Sequence, residues 1–312
     1  MLTASVPAAA DGASVDDHPW LPTAGVALAV VCWGLGGVAV KSIDASAVTI
    51  AFWRLWISAP TMVLFLYATG GRLNLVGLKR SLFGGLLFAG QIGLFFEAVQ
   101  RTSVVNAQLI SAMQPALVLL VAGRMFGERV SRHDVAWTAV AFAGVAVVLL
   151  ASSGQPEVSP LGNLLAFGNL FLWTIYFLEV KRVREAGMGA IEYMAGVMLI
   201  AAVVFTPYAL IASNDLGAIH GTSWLWILFI VFVPGWGGHV VMGWAHKFVD
   251  VKISSLMTLG VPVVSAVAAW LWLGEDMSVG QLFGAAIVLV ALAVIVVRHR
   301  NLEAAEDVPE PI

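Results

Sequence analysis

Long apolar segments, separated by short polar clusters, cover most of this chain. Cutting the sequence where charged residues, glycine, proline or asparagine cluster leaves ten such segments. Each is close to the roughly 20 residues that a helix needs to cross about 30 Å of hydrocarbon. The pattern therefore predicts transmembrane helices at residues 20–40, 47–69, 81–99, 103–124, 134–152, 161–180, 190–212, 223–244, 251–273 and 278–297.

The composition supports a membrane protein. Of the 312 residues, 60% are hydrophobic and 11% are charged, and the mean hydropathy is +0.92. A soluble domain cannot bury that much apolar surface. We predict an all-α membrane protein, with an N-terminal arm at 1–19 and a C-terminal tail at 299–312 that are both expected to be disordered.

The basic residues predict the orientation. Of the 16 Lys and Arg residues, thirteen lie on one side of the predicted membrane, Lys41 and Arg101 lie on the other, and Arg54 lies within the second span. Basic residues are retained on the cytoplasmic side, which predicts a multi-pass inner-membrane protein with both termini in the cytoplasm. The thirteen are Arg72, Lys79, Arg80, Arg124, Arg129, Arg132, Lys181, Arg182, Arg184, Lys247, Lys252, Arg298 and Arg300.

An internal repeat divides the chain into two halves, at 20–152 and 153–298. A shift of 147 superposes residues 108–128 on 255–275, and a shift of 140 superposes the first apolar segment on the sixth. The matched pairs include Ser111 and Thr258, Pro115 and Pro262, and Trp33 and Trp173. Since each half has five segments, the second half should enter the membrane from the opposite face. This inverted repeat is typical of secondary transporters that work by alternating access.

Two repeat-related prolines lie near the middle of their spans. Proline removes a backbone hydrogen bond and crowds the preceding turn, so Pro115 and Pro262 each predict a helix bend. The carbonyls freed by such a bend can face a wet cavity but not lipid.

Several motifs resemble a known family. The segments "QLISAMQPALVLLVAGRMFGE" and "SLMTLGVPVVSAVAAWLWLGE", with the apolar helices that follow them, are similar to the fourth and fifth helices of each EamA repeat in the drug/metabolite transporter superfamily. The "CWG" at 32–34 and Arg54 in "FWRLW" resemble its first and second helices. The resemblance extends from about residue 20 to 298 and is greatest to the bacterial aromatic amino acid exporters. It implies ten helices around a central cavity and export of small metabolites.

Polar and aromatic residues inside the spans are candidates for substrate binding, because polar groups in hydrocarbon are costly unless they are paired or face water. An indole can stack on an apolar or aromatic substrate. Neutral amides and hydroxyls can satisfy a zwitterion, but they also suit sugars and other uncharged metabolites. Helix packing is the alternative role for these residues. The candidates are Trp33, Gln91, Gln108, Ser111, Trp173, Tyr176, His239, Ser254 and Thr258.

Three charged residues are candidates for a gating or structural role, namely Lys41, Arg54 and Glu97. For Arg54 the structural alternative is pairing with an acid or with helix C-terminal carbonyls. Recognition of a phosphate ester usually uses several basic groups. A single arginine within the spans therefore disfavours a phosphate-ester antiporter. The first span lacks a carboxylate, which disfavours a proton-coupled cation exchanger built on an acid there.

The sequence favours a transporter over an enzyme. The spans contain no serine–histidine dyad with its glycine-rich neighbour, no pair of membrane aspartates and no HExxH motif, so we predict no catalytic residue, metal or cofactor. The expected partners are the lipid bilayer and a small-molecule substrate, with an amino acid as first choice; no nucleic acid is expected, and the protein is expected to be a monomer. Sugars, nucleosides or drugs as substrates, and a non-transporting receptor or channel, are the alternatives. Proton exchange and facilitated movement both stay open as the driving force.

Overall fold

The computed structural model describes residues 19–101, 107, 110–127, 130–151, 160–273 and 279–306. The regular structure in these ranges is helical, and we label the helices α1–α10 in chain order. Two are composite: α8 comprises Ser223–Ile230, π-helical turns at Val231–Gly238 and His239–Ala245, and α9 comprises Val251–Met257, a 3-10 turn at Thr258–Gly260 and Val261–Leu273. The others are α1 Leu21–Lys41, α2 Ala47–Ala68, α3 Leu75–Arg101, α4 Gln114–Phe126, α5 Arg132–Ala151, α6 Pro160–Glu185, α7 Ala190–Ala212 and α10 Val279–Glu306.

Seven helices in the described ranges are long and apolar enough to cross a membrane, namely α1, α2, α3, α6, α7, α8 and α9. Gln114–Phe126 and Leu282–Ile295 are shorter apolar helices. The chain is therefore a multi-pass membrane protein, while ten spanning helices and cytoplasmic termini stay predictions. Helix α10 continues to Glu306, beyond the predicted start of the tail at 299, because "LEAAE" at its end consists of strong helix formers.

Small residues let the helices approach closely. Helix α1 packs against α8 and α9, α2 against α7, α3 against α6 and α7, and α5 against α10. A methyl group at Gly34 would lie 2.5 Å from Val264, and one at Gly144 would lie 2.8 Å from Val288. Glycine thus allows the α1–α9 and α5–α10 contacts, as small residues commonly do between membrane helices.

A hydrogen-bonded aspartate ties the α7–α8 loop to the start of α2. The carboxylate of Asp215 accepts hydrogen bonds from the Ser46 amide at 2.7 Å and the Ser46 hydroxyl at 2.6 Å, and from the hydroxyls of Thr49 and Ser213. Burial acts to raise the pKa of Asp215, but these hydrogen bonds outweigh it and lower the pKa to about 2. Asp215 therefore fixes the N-cap of a first-half helix to a second-half loop.

Buried basic groups fill the bundle where α6 ends, on the predicted cytoplasmic side. Lys181 and Arg184 are 5% and 2% exposed, and both donate hydrogen bonds to backbone carbonyls. His246, directly after α8, is fully buried and packs edge-on against the Phe177 ring at 4.5 Å. Burial, with the charges of Lys181 and Arg184, lowers the pKa of His246 to about 3. This end of the bundle is therefore closely packed.

Irregular turns occur at three places near the middle of the bundle, within α8 and α9 and directly before α4. A turn at Ala112–Met113 precedes α4, in which Pro115 is the second residue. The 3-10 turn in α9 likewise directly precedes the segment in which Pro262 is the second residue. Proline is well tolerated there because the first turn of a helix has no amide bonds to lose. Pro234 lies within the π-helical turns of α8.

Candidate substrate-binding cavity

A cavity of about 170 Å³ lies between the two halves of the chain. One water molecule needs about 10–15 Å³ of such a volume, so the cavity has room for a small metabolite. Its walls come from α1, α2, α3, α6, α8, α9, the first residue of α4 and the residues just before α4. Val40 and Val99, near the predicted outer ends of α1 and α3, line its upper part. The cavity therefore occupies the half of the bundle opposite the buried basic groups.

An aromatic cluster forms the floor of the cavity. The rings of Trp33 and Trp173, the repeat-related pair, meet edge to face with centroids 5.2 Å apart. The His239 ring lies 5.1 Å from Trp33 and 5.8 Å from Trp173. Tyr176 stacks on Trp173 at 5.8 Å, and Phe88 closes the cluster 5.0 Å from His239. Edge-to-face and offset contacts of this kind favour a rigid aromatic surface.

The irregular part of α8 makes room for this floor. Its π-helical turns end at Gly238, and the Trp33 indole lies directly against that glycine. A methyl group at residue 238 would lie 2.5 Å from Cδ1 of Trp33, and still closer to Nε1. Glycine is required here for close approach. π-Helical turns recur at functional sites because they shift side chains that follow them, and His239 is the next residue.

Polar groups from both halves line the wall above the floor. The Thr258 hydroxyl donates to Oε1 of Gln114 at 3.1 Å, and Nδ2 of Asn169 donates to the Ser111 hydroxyl at 3.3 Å. Nε2 of Gln114, Oδ1 of Asn169 and Nε1 of Trp33 are buried and have no hydrogen-bond partner in the described residues. Buried polar atoms are nearly always paired in proteins. These three unpaired atoms belong to side chains that line the cavity.

The guanidinium of Arg54 also lines the cavity. Arg54 is 6% exposed, and its Cζ atom lies 5.8 Å from the ring centres of both Phe88 and Phe96. Within the described part of the chain it forms no hydrogen bond and no ion pair. The structural pairing considered for Arg54, with an acid or with helix-end carbonyls, is therefore not found in those ranges.

The structure brings together most, but not all, of the residues selected from the sequence. Tyr176 lies beneath Trp173, with its hydroxyl 3.5 Å from the Met194 sulfur. Ser254 lies outside the cavity, because its hydroxyl bonds the carbonyls of Asp250 and Val251 in its own helix. The selected residues that line the cavity are Trp33, Arg54, Gln91, Ser111, Trp173, His239, Thr258 and Pro262.

The remaining selected residues lie elsewhere. Glu97 forms an ion pair with Arg101 at 2.7 Å, away from the cavity lining. Pro115 is buried in the first turn of α4. Gln108 and the side chain of Lys41 lie outside the described residues.

Asn169 is a cavity residue that the sequence reasoning missed. It lies one helical turn before Trp173 and is 4% exposed. The sequence contained two indications of Asn169. It lies four residues before Trp173 and so shares its helix face, and an amide within an apolar span is costly unless it has a role. No group of three or more His, Cys, Asp or Glu side chains arranged to hold a metal occurs in the described ranges.

Apolar spanning helices surround a cavity that has aromatic, apolar and a few polar lining residues from both halves of an internally repeated chain. This is the architecture of a membrane transporter. Sequence comparison identifies the family. The chain belongs to the EamA-like transporter family, whose profile matches residues 22–150 and 160–297. The resemblance to EamA repeats noted in the sequence is thereby confirmed.

Relatives at low identity bear names of the same kind. The chain is 25% identical to a protein of Escherichia coli (strain K12) named as a probable amino-acid metabolite efflux pump, over 85% of this chain and 91% of that protein. It is 25% identical to the aromatic amino acid exporter YddG of Ancylobacter novellus, over 58% and 62% of the two chains. A crystal structure superposes with a TM-score of 0.72 at 20% identity, covering 90% of this chain and 98% of that one, which shows the shared fold.

Proposed function

We propose that this transporter exports amino acids, aromatic or otherwise neutral, across the inner membrane by alternating access through the central cavity. One observation carries the proposal. The repeat-related residues Trp33 and Trp173 meet 5.2 Å apart at the floor of a cavity that is also lined by the polar side chains of Gln114 and Asn169. An amino acid has the matching features, with an apolar side chain at one end and a polar zwitterion at the other.

The chemistry of the walls supports this substrate class. The indole rings offer apolar surface for a side chain. The amides of Gln114 and Asn169 offer a donor and an acceptor without a partner in the described residues, and these suit a carboxylate and an ammonium group. The E. coli and A. novellus relatives are named for amino-acid substrates.

The asymmetry of the bundle supports alternating access. Wall residues lie on the predicted outer side of the Trp33–Trp173 floor, whereas Lys181, Arg184 and His246 are buried in close packing at the other end. We interpret this arrangement, with the predicted orientation, as an outward-facing state. Exchange of conformation between the two halves would open the opposite end and close this one.

Competition in proteoliposomes tests the proposal. Purified protein is reconstituted, and counterflow of labelled L-phenylalanine is challenged with other amino acids, purine nucleosides, sugars and organic cations. We expect saturable counterflow with the strongest competition from aromatic and large neutral amino acids. Competition only by nucleosides, sugars or cations would assign another metabolite class. Ligand binding without saturable flux of any compound would instead indicate a receptor.

A further inference from the structure

The guanidinium of Arg54 is a buried cation that forms no hydrogen bond and no ion pair with the described residues. It lies within α2, it is 6% exposed and it lines the cavity. The described residues supply it with no hydrogen-bond acceptor and no carboxylate. Its neighbours are the rings of Phe88 and Phe96, each 5.8 Å from Cζ. The guanidinium, with its five N–H donors, therefore lines the cavity without an acceptor among the described residues.

Two ring contacts do not compensate the burial of this charge. A cation–π contact stabilises a cation much less than burial of an ion destabilises it, even after relaxation. A membrane helix retains such a residue where it faces a cavity and meets a partner of opposite charge. An anion is the partner that would compensate the charge of Arg54 best.

The walls of the cavity do not provide that anion. The described lining residues include no aspartate and no glutamate. Glu97, one residue after Phe96, forms an ion pair with Arg101 at 2.7 Å. Glu179, on the cytoplasmic side of Tyr176 in α6, forms one with Arg182 at 2.7 Å. The formal charge of the described lining is thus that of a single arginine, which favours anions and zwitterions and repels cations.

We propose that Arg54 binds the carboxylate of the transported molecule, and that the cavity selects carboxylates with an apolar body whether or not they carry an amino group. A planar guanidinium matches a carboxylate in a bidentate geometry, and the aromatic floor accepts the apolar body. No anionic side chain in the described lining requires an ammonium group. The inference rests on the proposed function and extends its substrate class to deaminated acids.

Three analogues that share one aromatic ring test this selection in the wild-type protein. L-Phenylalanine has both charges, 3-phenylpropionate has only the carboxylate, and L-phenylalaninamide has only the ammonium group. We expect unlabelled 3-phenylpropionate to inhibit L-phenylalanine counterflow within about tenfold of L-phenylalanine itself. The amide should be about 10- to 100-fold weaker, as expected for loss of a charge-assisted hydrogen bond. Equal inhibition by the amide would overturn the inference.

Arg54→Met tests the residue, because methionine retains the length and apolar stem of arginine. We expect the variant to lose about 10- to 100-fold in apparent affinity for 3-phenylpropionate, and Arg54→Lys to restore part of it. Arg101→Gln is the matched control, since Arg101 is exposed and pairs with Glu97 outside the cavity. Wild-type affinity for 3-phenylpropionate in Arg54→Met would overturn the inference. If Arg54→Met does not fold, the analogue series in the wild type still decides the question.

A binding measurement separates this inference from the proposed function. Ligand that binds the folded state raises the unfolding temperature, which tryptophan fluorescence reports during heating. We expect 3-phenylpropionate to stabilise the wild type and the Arg101→Gln control but not Arg54→Met. If this pattern holds while L-phenylalanine shows no counterflow, the carboxylate site stands and amino acid export is wrong. If L-phenylalanine counterflow is saturable but independent of Arg54, export stands and the carboxylate site is wrong.

Discussion

Replacing Gly238 by alanine tests whether the position of Trp33 controls transport. The added methyl group would lie 2.5 Å from Cδ1 of the indole, well inside van der Waals contact. The indole cannot retreat freely, because it packs against Trp173 at 5.2 Å and His239 at 5.1 Å. Overpacking of this kind costs about 1–3 kcal/mol. If that cost falls on the substrate-binding state, the apparent affinity should drop about 5- to 150-fold.

Gly243→Ala is the matched control on the same helix. Its methyl group would meet Val180 at 3.7 Å and Ala190 at 3.8 Å, which are ordinary contacts. Both substitutions gain similar helix propensity, so their difference isolates the contact with Trp33. The assay is L-phenylalanine counterflow in proteoliposomes that contain equal amounts of each purified variant.

A double-mutant cycle with Trp33→Phe identifies the cause. The smaller ring leaves space for the methyl group, so Gly238→Ala should cost much less in the Trp33→Phe background than in the wild type. The reasoning is refuted if Gly238→Ala behaves like Gly243→Ala. It is refuted equally if the cost of Gly238→Ala is the same with phenylalanine at position 33.

Three further substitutions test other parts of the structure. Asp215→Asn removes the charge that caps α2 through Ser46 and should cost about 1–2 kcal/mol, measured as a lower unfolding temperature in detergent at pH 7; an unchanged temperature would contradict the cap. The pKa of His246 is about 3 in the folded state and about 6.5 in the unfolded state. As the pH falls, the unfolded state therefore binds a proton at a higher pH than the folded state does. The free energy of unfolding is thus greatest above about pH 6.5 and decreases below it. We expect a loss of about 2 kcal/mol by pH 5 that is absent in His246→Phe, measured by unfolding at pH 8 and pH 5; equal pH dependence of both proteins would disprove it. Thr258→Val removes the donor to Gln114 and should raise the KM of counterflow about fivefold; a wild-type KM would show that this hydrogen bond does not shape the site.

The helices were largely predictable because an apolar segment of this length has few alternatives in a bilayer. The predicted span 190–212 coincides with α7. Hydropathy carries no information on hydrogen-bond register, so the π-helical turns of α8 and the 3-10 turn of α9 were not predicted. Pro262 predicted a bend in α9 but not which backbone form would result, and Pro234 in α8 was not selected.

Repeat symmetry and polarity within the spans predicted part of the candidate site. The repeat singled out Trp33 and Trp173, and the structure places both at the cavity floor. Polarity alone also selected Ser254, which bonds its own helix, and it missed Asn169. Which way a polar side chain points depends on the rotation of each helix against its neighbours, which a single sequence does not specify.

Counterflow of L-phenylalanine by Trp173→Ala, compared with the wild type at equal protein in the liposomes, tests the central claim most directly. If the paired indoles form the substrate site, the wild type shows saturable counterflow, and Trp173→Ala loses far more of it than it loses in membrane abundance. Trp56→Ala, which removes an exposed indole on α2, should keep wild-type flux. Parallel losses of abundance and flux in Trp173→Ala, or undiminished flux through it, would contradict a substrate site at the aromatic floor.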